Sequence, residues 1–256
     1  MNKIVFITGA TSGLGEACAH VFAQNGFDII INGRRLERLT ALKKELEEHY
    51  SVSCFLAPFD VRVRKEVFET VNNLPANWKK IDILINNAGL ALGRDLFDKA
   101  NIEDWDTMID TNVKGLLYVS KAVIPYMKER GSGHIINLGS IAAKEVYEAG
   151  NVYCASKSAV DTISKAMRID LLKHNIKVTA IHPGAAETEF SIVRFKGAEE
   201  TAKKTYEGIT PLSGKDVADI IYYAASLPQH VCINDLEVTC IQQANTYLFN
   251  RSVNKL

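Results

Sequence analysis

The chain has 256 residues, of which 47% are hydrophobic, and thirty basic residues balance thirty acidic ones. This length and composition suffice for one large core and a single domain. A formal net charge of zero excludes a general attraction to nucleic acid or to an anionic membrane. No run approaches the ~18 apolar residues of a membrane span, and the apolar run after Lys3 is too short for a signal peptide. The five cysteines show no CxxC spacing, so we expect a soluble, cytoplasmic protein with reduced thiols and no metal site.

Short apolar runs of β type alternate with longer helical patterns along the chain. Predicted strands cover 3–8, 28–32, 52–60, 81–89, 134–140, 177–184 and a stretch near 235–240, and predicted helices cover 13–24, 36–50, 62–74, 103–130, 151–174 and 214–227. This alternation, with continuously apolar strands, indicates a parallel sheet covered by helices on both faces. We therefore predict a single Rossmann-type α/β domain over 1–256, with a doubly wound sheet of about seven strands. Residues 185–213 break the pattern and are predicted to form a lid, a binding loop or a disordered segment.

A glycine-rich turn, TGATSGLG at 8–15, joins the first strand to the first helix. Glycines let the backbone turn tightly and approach a pyrophosphate, and the start of the helix offers unpaired N–H groups to an anion. A tight strand-to-helix turn could use the same residues, but the position first in the chain favours a dinucleotide site. The residues assigned to cofactor binding in this turn are Gly9, Thr11, Ser12, Gly13, Leu14 and Gly15.

The second predicted strand ends in INGRRLER. Sites for NAD often carry an acid about twenty residues after the glycines, where it binds the ribose 2′-hydroxyl. Arg34 and Arg35 stand there instead, and arginine forks suit a 2′-phosphate. Arg38 lies one helical turn from Arg34 and can join them. The sequence thus predicts NADP(H) as cofactor, although Arg35 and Arg38 could also form a solvated helix face.

Polar residues follow other predicted strands as well. Asp60 is placed to accept a hydrogen bond from the adenine amine and Val61 to offer a backbone N–H, with a helix N-cap as the alternative for Asp60. Asn87, in NNAG, is predicted to bridge backbone groups near the cofactor, with a plain turn as the alternative. The residues predicted at the nicotinamide pocket are Pro183, Gly184 and Thr188.

Tyr153 and Lys157 lie four residues apart and therefore share one face of the predicted helix 151–174. Free tyrosine titrates near ~10, and a nearby ammonium favours the phenolate. We predict that Tyr153 is the catalytic acid and base, and that Lys157 lowers its pKa and holds the cofactor ribose. Ser140 is predicted to orient the substrate oxygen, and Asn112 to hold a water near Lys157. Each residue alone could serve packing, capping or solvation, but their joint placement after a dinucleotide loop favours a catalytic set.

Taken together, these motifs resemble the short-chain dehydrogenase/reductase family over essentially the whole chain. The resemblance is carried by TGATSGLG, NNAG, Asn112, Ser140, the Tyr-x-x-x-Lys of 153–157 and the HPG of 182–184. It implies a Tyr–Lys–Ser–Asn tetrad, a seven-stranded sheet and a homotetramer built through the long helices. The stretches GRRLERL, NNAGLALG, EDWDTMIDTNVKGL and TEFSIVRFKG are similar to the NADP-dependent 3-hydroxy acid dehydrogenases. Those enzymes oxidise L-serine and L-allo-threonine, and some reduce malonic semialdehyde.

The segment IVRFKG within 185–213 supplies Arg194 and Lys196. A small carboxylate substrate needs a basic anchor, and an arginine fork suits it, although both residues could be surface charges on a mobile lid. Lys144 and Glu145 place further charges near the expected position of the substrate.

We therefore predict a reversible, NADP-dependent oxidation of a small 3-hydroxy acid, with Ser140, Tyr153 and Arg194 in contact with the substrate. One alternative is a reductase of the same fold that acts on a 3-oxoacyl, sugar or other carbonyl substrate. The other is a non-catalytic sensor of NADP(H).

Overall fold

Within residues 2–251, which the computed structural model describes, seven parallel strands form one sheet in the order β3-β2-β1-β4-β5-β6-β7. The strands are β1 (Ile4–Ile7), β2 (Asp28–Gly33), β3 (Cys54–Pro58), β4 (Ile81–Asn86), β5 (Gly133–Leu138), β6 (Ile176–Pro183) and β7 (Asp235–Val238). The helices are α1 (Gly13–Gln24), α2 (Leu36–His49), α3 (Arg64–Asn72), α4 (Ile102–Ile109), α5 (Leu116–Arg130), α6 (Asn151–Leu171), α7 (Glu189–Arg194), α8 (Glu199–Lys204) and α9 (Gly214–Ser226). The predicted fold class and sheet are confirmed, whereas Met1 and 252–256 of the predicted domain lie outside the described residues.

Helices cover both faces of the sheet because successive strand residues point to opposite sides. Val5 and Ile7 of β1 belong to a core shared with α1, α2 and α9. Ile4 and Phe6 belong to a second core, shared with α3, α5 and the end of α6. Residues on both faces are buried, which explains why the strands read as continuous apolar runs.

The structure departs from the sequence prediction in two regions. The helix predicted over 103–130 is divided, because a π-helical segment, Asp110–Gly115, separates α4 from α5. The irregular segment predicted over 185–213 contains α7 and α8, which are too short to show a clear helical period. Other boundaries differ from the prediction by a few residues, as helix and strand ends commonly do.

The cysteines and the helix lengths bear on what the composition predicted. All five cysteines lie within the described residues and are free thiols. Among residues 2–251, the helices are all too short or too polar to cross a bilayer.

Candidate active site

A cavity of about 320 Å³ opens at the carboxyl ends of the strands, where a doubly wound sheet binds its ligands. Most predicted site residues line it: Gly9, Thr11, Ser12, Gly13, Leu14, Arg34, Arg35, Asp60, Val61, Asn87, Ser140, Tyr153, Lys157, Pro183, Gly184 and Thr188. The remaining four, Gly15, Arg38, Asn112 and Arg194, support or flank its wall through contacts described below. The topology thus brings the predicted residues to one edge of the sheet.

The glycine-rich turn forms a cradle that side chains would fill. Gly9 and Gly13 adopt φ values of +66° and +57°, which favour glycine. A Cβ on Gly15 would lie 2.3 Å from the carbonyl oxygen of Gly9. Ser12 occupies the N-cap of α1, yet its side chain caps no backbone N–H. The first turn of α1 therefore presents N–H groups that suit a pyrophosphate, and the residues present fit a dinucleotide.

Asn87 and Thr8 hold the ends of β1 and β4 together. The side-chain amide of Asn87 donates to the carbonyl oxygens of Thr8 (2.9 Å) and Gly9 (3.1 Å). The hydroxyl of Thr8 accepts from the backbone N–H groups of Asn87 and Ala88, both at 3.0 Å. Asn87 thus bridges backbone groups as predicted, and its amide shapes the turn that faces the cofactor.

The three arginines at the end of β2 differ in their surroundings. Arg34 is exposed and lies 3.9 Å from a carboxylate oxygen of Asp60. Arg35 donates to the Thr11 hydroxyl at 2.8 Å and lies 3.3 Å from Glu189, while Arg38 donates to both oxygens of Glu189 at 2.8 and 3.0 Å. Arg35 and Arg38 therefore converge on one anion beside the glycine-rich turn and do not form a plain solvated face.

Asp60 is engaged by an arginine that the sequence prediction did not consider. Arg62 donates to both carboxylate oxygens of Asp60, at distances between 2.7 and 3.0 Å. Partial burial favours the neutral acid, but these hydrogen bonds outweigh it and hold the pKa of Asp60 below its usual value. The N-cap alternative is wrong, because Val63 occupies the N-cap of α3. Val61 packs closely on Gly115, since a Cβ added to Gly115 would lie 2.8 Å from the Val61 side chain.

Tyr153 lies at the centre of the cavity wall and is 8% exposed. Burial raises the pKa of its phenol above the ordinary value of 10, and the Tyr147 hydroxyl acts in the same direction. A hydrogen bond with Ser140 and the charge of Arg194 oppose this effect on the pKa. The phenol is therefore neutral at pH 7 and within hydrogen-bonding reach of Ser140, as the predicted pairing requires.

Lys157 shares the cavity with Tyr153 but makes a different contact from the one expected. Its ammonium is 6% exposed and donates to the Leu138 carbonyl at 2.8 Å. Burial lowers the pKa of Lys157 to about 8. The charge that lowers the pKa of Tyr153 in this structure is that of Arg194, and the effect predicted for Lys157 stays a prediction.

Asn112 lies in the π-helical segment, and its side chain is fully engaged. Its carbonyl oxygen accepts from the Leu90 N–H at 2.8 Å, and its amide donates to the Leu90 carbonyl and to the Ser156 hydroxyl. Asn112 and Lys157 both lie next to Gly89, where an added Cβ would be 3.2 Å from the Asn112 side-chain oxygen and 3.5 Å from the Lys157 nitrogen. Single π-helical turns often occur at functional sites, and here the turn places Asn112 beside the lysine.

Arg194 reaches the phenol from the end of α7. Its guanidinium carbon lies 5.5 Å from the ring centroids of both Tyr153 and Tyr147, and it donates to the Tyr147 hydroxyl at 2.8 Å. Lys196, in contrast, pairs with Asp104 at 2.8 Å. Of this pair, Arg194 therefore contacts the ring of Tyr153, whereas Lys196 is held by Asp104. Sequence reasoning missed Tyr147, since no spacing distinguishes it from a packing tyrosine.

The charges of Lys144 and Glu145 do not point to the substrate position as expected. Lys144 lies between Asp235 (2.8 Å) and Asp161 (3.2 Å), and Glu145 approaches Thr246. His182, fully buried, completes this cluster. Ligand atoms of the two aspartates and His182 lie within 4.8 Å of one another, and the Lys144 ammonium supplies the cation that balances them.

His182 also contacts the backbone of Ser140. Its Nδ1 lies 3.3 Å from the Ser140 backbone nitrogen and 3.1 Å from the Ser140 carbonyl oxygen. A Cβ on Gly139 would lie 2.3 Å from the same ring nitrogen. The imidazole therefore holds the backbone at the end of β5, and a glycine is required beside it.

A parallel sheet with a glycine-rich dinucleotide turn and a neighbouring tyrosine, lysine and serine defines a nucleotide-dependent oxidoreductase. The sequence model of the short chain dehydrogenase family matches residues 3–198. The chain therefore belongs to the short-chain dehydrogenase family, which confirms the predicted family and enzyme class.

The more specific likeness is to dehydrogenases of hydroxy acids. The chain is 50% identical to the NADP-dependent 3-hydroxy acid dehydrogenase YdfG of Salmonella typhi over 94% of this chain and 96% of that protein. It is 45% identical to sulfoacetaldehyde reductase 2 of Chromohalobacter salexigens, over 95% and 96% of the two chains. A serine dehydrogenase solved in its closed form with NADP⁺ is 47% identical, with a TM-score of 0.92 and coverage of 96% and 98%. The predicted cofactor, NADP(H), agrees with the NADP dependence in the name of the Salmonella enzyme and with the NADP⁺ bound to the serine dehydrogenase.

Proposed function

We propose that this protein catalyses the reversible, NADP-dependent interconversion of the hydroxyl and carbonyl groups of a small 3-hydroxy acid such as serine or allo-threonine. One observation supports this substrate class above the others: Arg194 lies over the Tyr153 ring, with its guanidinium carbon 5.5 Å from the centroid. A guanidinium fork binds a carboxylate in a fixed orientation. A substrate held by Arg194 would thus have its hydroxyl close to the phenol.

NADP, when bound, accepts or supplies the hydride, and the remaining chemistry belongs to the chain. Tyr153 takes the hydroxyl proton in oxidation and returns it in reduction. Because burial raises the pKa of Tyr153, the neutral phenol is ready to donate at pH 7. Oxidation requires phenolate, so its rate should increase as the pH rises. Ser140 lies beside the phenol and lowers its pKa, a position from which its hydroxyl can orient the reacting oxygen.

Two further residues complete the proposed tetrad. Lys157 presents a buried ammonium next to Gly89, where a cofactor ribose could replace the Leu138 carbonyl as its acceptor. Asn112 fixes the Leu90 backbone next to Gly89. We propose that Asn112 lets a water reach Lys157 and so restores the proton of Tyr153 from solvent.

The cofactor is proposed to place its 2′-phosphate at Arg34, Arg35 and Arg38. Each guanidinium side chain is between 45% and 62% exposed, which leaves donors accessible from the cavity. A phosphate there would gain charge-assisted hydrogen bonds that a ribose hydroxyl cannot make. Pro183, Gly184 and Thr188 form the wall at the nicotinamide end of the same cavity.

The substrate class is tested by following absorbance at 340 nm with NADP⁺ and a panel of 3-hydroxy acids, including L-serine and L-allo-threonine. The reverse direction is tested with NADPH and malonic semialdehyde, sulfoacetaldehyde, a 3-oxoacyl thioester and a neutral ketone. A guanidinium fork also suits a sulfonate, so a preference for sulfoacetaldehyde would change the anion but not the anchor. Turnover of the thioester or the neutral ketone alone would contradict the proposal and favour the other reductases.

The anchor is tested with Arg194→Met, and Lys196→Met serves as a matched control on the same segment. Loss of a bidentate, charge-assisted contact should raise KM for the acid at least about tenfold. The control should behave as the wild type, because Lys196 pairs with Asp104 away from the phenol. An equal effect of Arg194→Met on an acid and on its uncharged analogue would refute the role of Arg194.

The chemistry is tested with Tyr153→Phe, which removes the phenol hydroxyl and keeps the ring. Acid–base catalysis contributes about 10²–10⁴-fold, so kcat should fall by that amount. Binding of NADP⁺, measured by fluorescence or calorimetry, should stay within about threefold of the wild type. Full activity in this variant would exclude the tyrosine mechanism, and no turnover by the wild type in any assay would favour the sensor.

A further inference from the structure

The two arginines nearest the glycine-rich turn are occupied by an acid of the same chain. Glu189 is the first residue of α7 and follows its N-cap, Thr188. Its carboxylate lies 2.8 and 3.0 Å from Arg38 and 3.3 Å from Arg35. The Glu189 side chain is 41% exposed and lines the cavity together with Arg35. An acid in this place is unexpected for a site that should receive a phosphate, because like charges repel.

We propose that Glu189 is a determinant of cofactor selectivity: its carboxylate occupies Arg35 and Arg38 in the cofactor-free protein, and the 2′-phosphate competes with it for them. The proposal rests on the proposed cofactor and adds a residue that the sequence analysis did not assign. NAD(H) carries a hydroxyl at the same position and cannot displace a carboxylate from two guanidinium groups. Glu189 therefore weakens the binding of NADP(H) and leaves that of NAD(H) almost unchanged.

The surrounding contacts support competition between anions over a purely structural ion pair. Arg35 keeps independent support, since it also donates to the hydroxyls of Thr11 (2.8 Å) and Ser12 (3.1 Å). Its guanidinium would thus remain at the turn if Glu189 moved away. The two ion pairs to Glu189 are partly exposed, with about half of each arginine side chain accessible. Ion pairs of this kind contribute little and are readily exchanged for a doubly charged phosphate.

The exchange would also act on α7 as a whole. Thr188 packs at the glycine-rich turn, where a Cβ on Gly13 would lie 3.1 Å from it. Phe190 packs on the Tyr153 ring, with the centroids 5.8 Å apart, and Arg194 ends the helix above the same ring. Displacement of Glu189 by a phosphate thus bears directly on the element that carries the substrate anchor.

The test compares Glu189→Gln with wild type in binding of NADP⁺, NAD⁺, adenosine 2′,5′-bisphosphate and 5′-AMP to the cofactor-free protein, by calorimetry at low salt. Glutamine keeps the shape and removes the charge. We expect NADP⁺ and the bisphosphate to bind about 3- to 10-fold more tightly, because they no longer have to replace partly exposed ion pairs between Glu189 and two arginines. NAD⁺ and 5′-AMP should change less than about twofold.

Glu187→Gln is the matched control, since it removes one negative charge from an exposed side chain two residues away. It should leave all four affinities close to those of the wild type. Unchanged or weaker binding of NADP⁺ to Glu189→Gln, or equal tightening for NAD⁺, would overturn the inference. If the wild type itself binds NADP⁺ no better than NAD⁺, the proposed cofactor fails instead, so the two failures are distinguishable.

Discussion

The buried ammonium of Lys157 should make the stability of the cofactor-free protein depend on pH in a defined way. Its pKa falls from 10.5 to about 8 because burial removes the ammonium from water. At ~1.4 kcal/mol per pH unit, this difference corresponds to about 3 kcal/mol. Between these two pH values the unfolded chain keeps the proton and the folded protein has lost it. Below pH 8 the folded protein therefore holds a buried ammonium, which lowers the free energy of unfolding. This cost becomes smaller as the pH rises toward 10.5, so the stability increases.

The perturbation is Lys157→Met, which keeps a similar length and removes the titrating group. The free energy of unfolding by urea is measured for both proteins at several values between pH 7.5 and 9.5. The wild type should gain about 2 kcal/mol relative to the variant over this interval. Exposed Lys80→Met is the control for the loss of one lysine side chain.

The reasoning would be refuted if the difference in the free energy of unfolding between wild type and Lys157→Met stayed constant or fell as the pH rises. The ammonium would then not be desolvated in the folded protein. Addition of NADP⁺ offers a second comparison. Ribose hydroxyls would give the ammonium further acceptors and favour its charged form. The gain with pH should accordingly become smaller when the cofactor is present.

Three other predictions concern residues away from the proton relay. Gly139→Ala should lower the free energy of unfolding by about 1–3 kcal/mol in urea titrations, because its Cβ would overlap the His182 ring at 2.3 Å. Burial lowers the pKa of His134 to about 3 from 6.5, so wild type should lose stability relative to His134→Gln as the pH falls through this range; equal acid sensitivity of the two proteins would contradict it. Among the five thiols, half-buried Cys232 should react first with a disulfide reagent under native conditions, followed at 412 nm. Buried thiols react more slowly, and burial raises the pKa of Cys18 to about 12. An equally fast first reaction in Cys232→Ser would contradict this order.

The sheet could be predicted from the sequence because its two signals, an apolar strand and the turn and helix that follow it, are both local. Runs such as IVFI and DIIING are apolar throughout, and each is followed by a turn and a helical period. The π-helical segment Asp110–Gly115 could not be predicted, since its polar and apolar residues continue the helical pattern on both sides. Its last residue, Gly115, also makes a tertiary contact that the pattern does not show, because it packs against Val61 at a distance that excludes a Cβ.

The parts of the candidate site that could be predicted are those marked by a specific sequence signal. The glycines of 9–15 and the four-residue spacing of Tyr153 and Lys157 are such signals. The pairing of charges was not predictable, because it depends on which elements approach in space. Lys144 and Asp235 are 91 residues apart in the chain and meet at 2.8 Å, which removes Lys144 from the substrate side. Arg194 and Tyr153 meet in the same way, which places a cation from α7 over the phenol ring.

Helix α7 joins two positions that the sequence treats as unrelated and that we propose to bind anions. Its first residue, Glu189, contacts the arginines of the proposed phosphate site, and its last, Arg194, lies over the ring of Tyr153. A helix rises ~1.5 Å per residue, so these contacts are separated by about 8 Å along one rigid axis. A unit this short cannot shift at one end and stay fixed at the other. In the proposed function, the charge that occupies Arg35 and Arg38 would therefore also act on the position of Arg194, the proposed substrate anchor, which would give a physical reason for an acid to stand at the start of the helix.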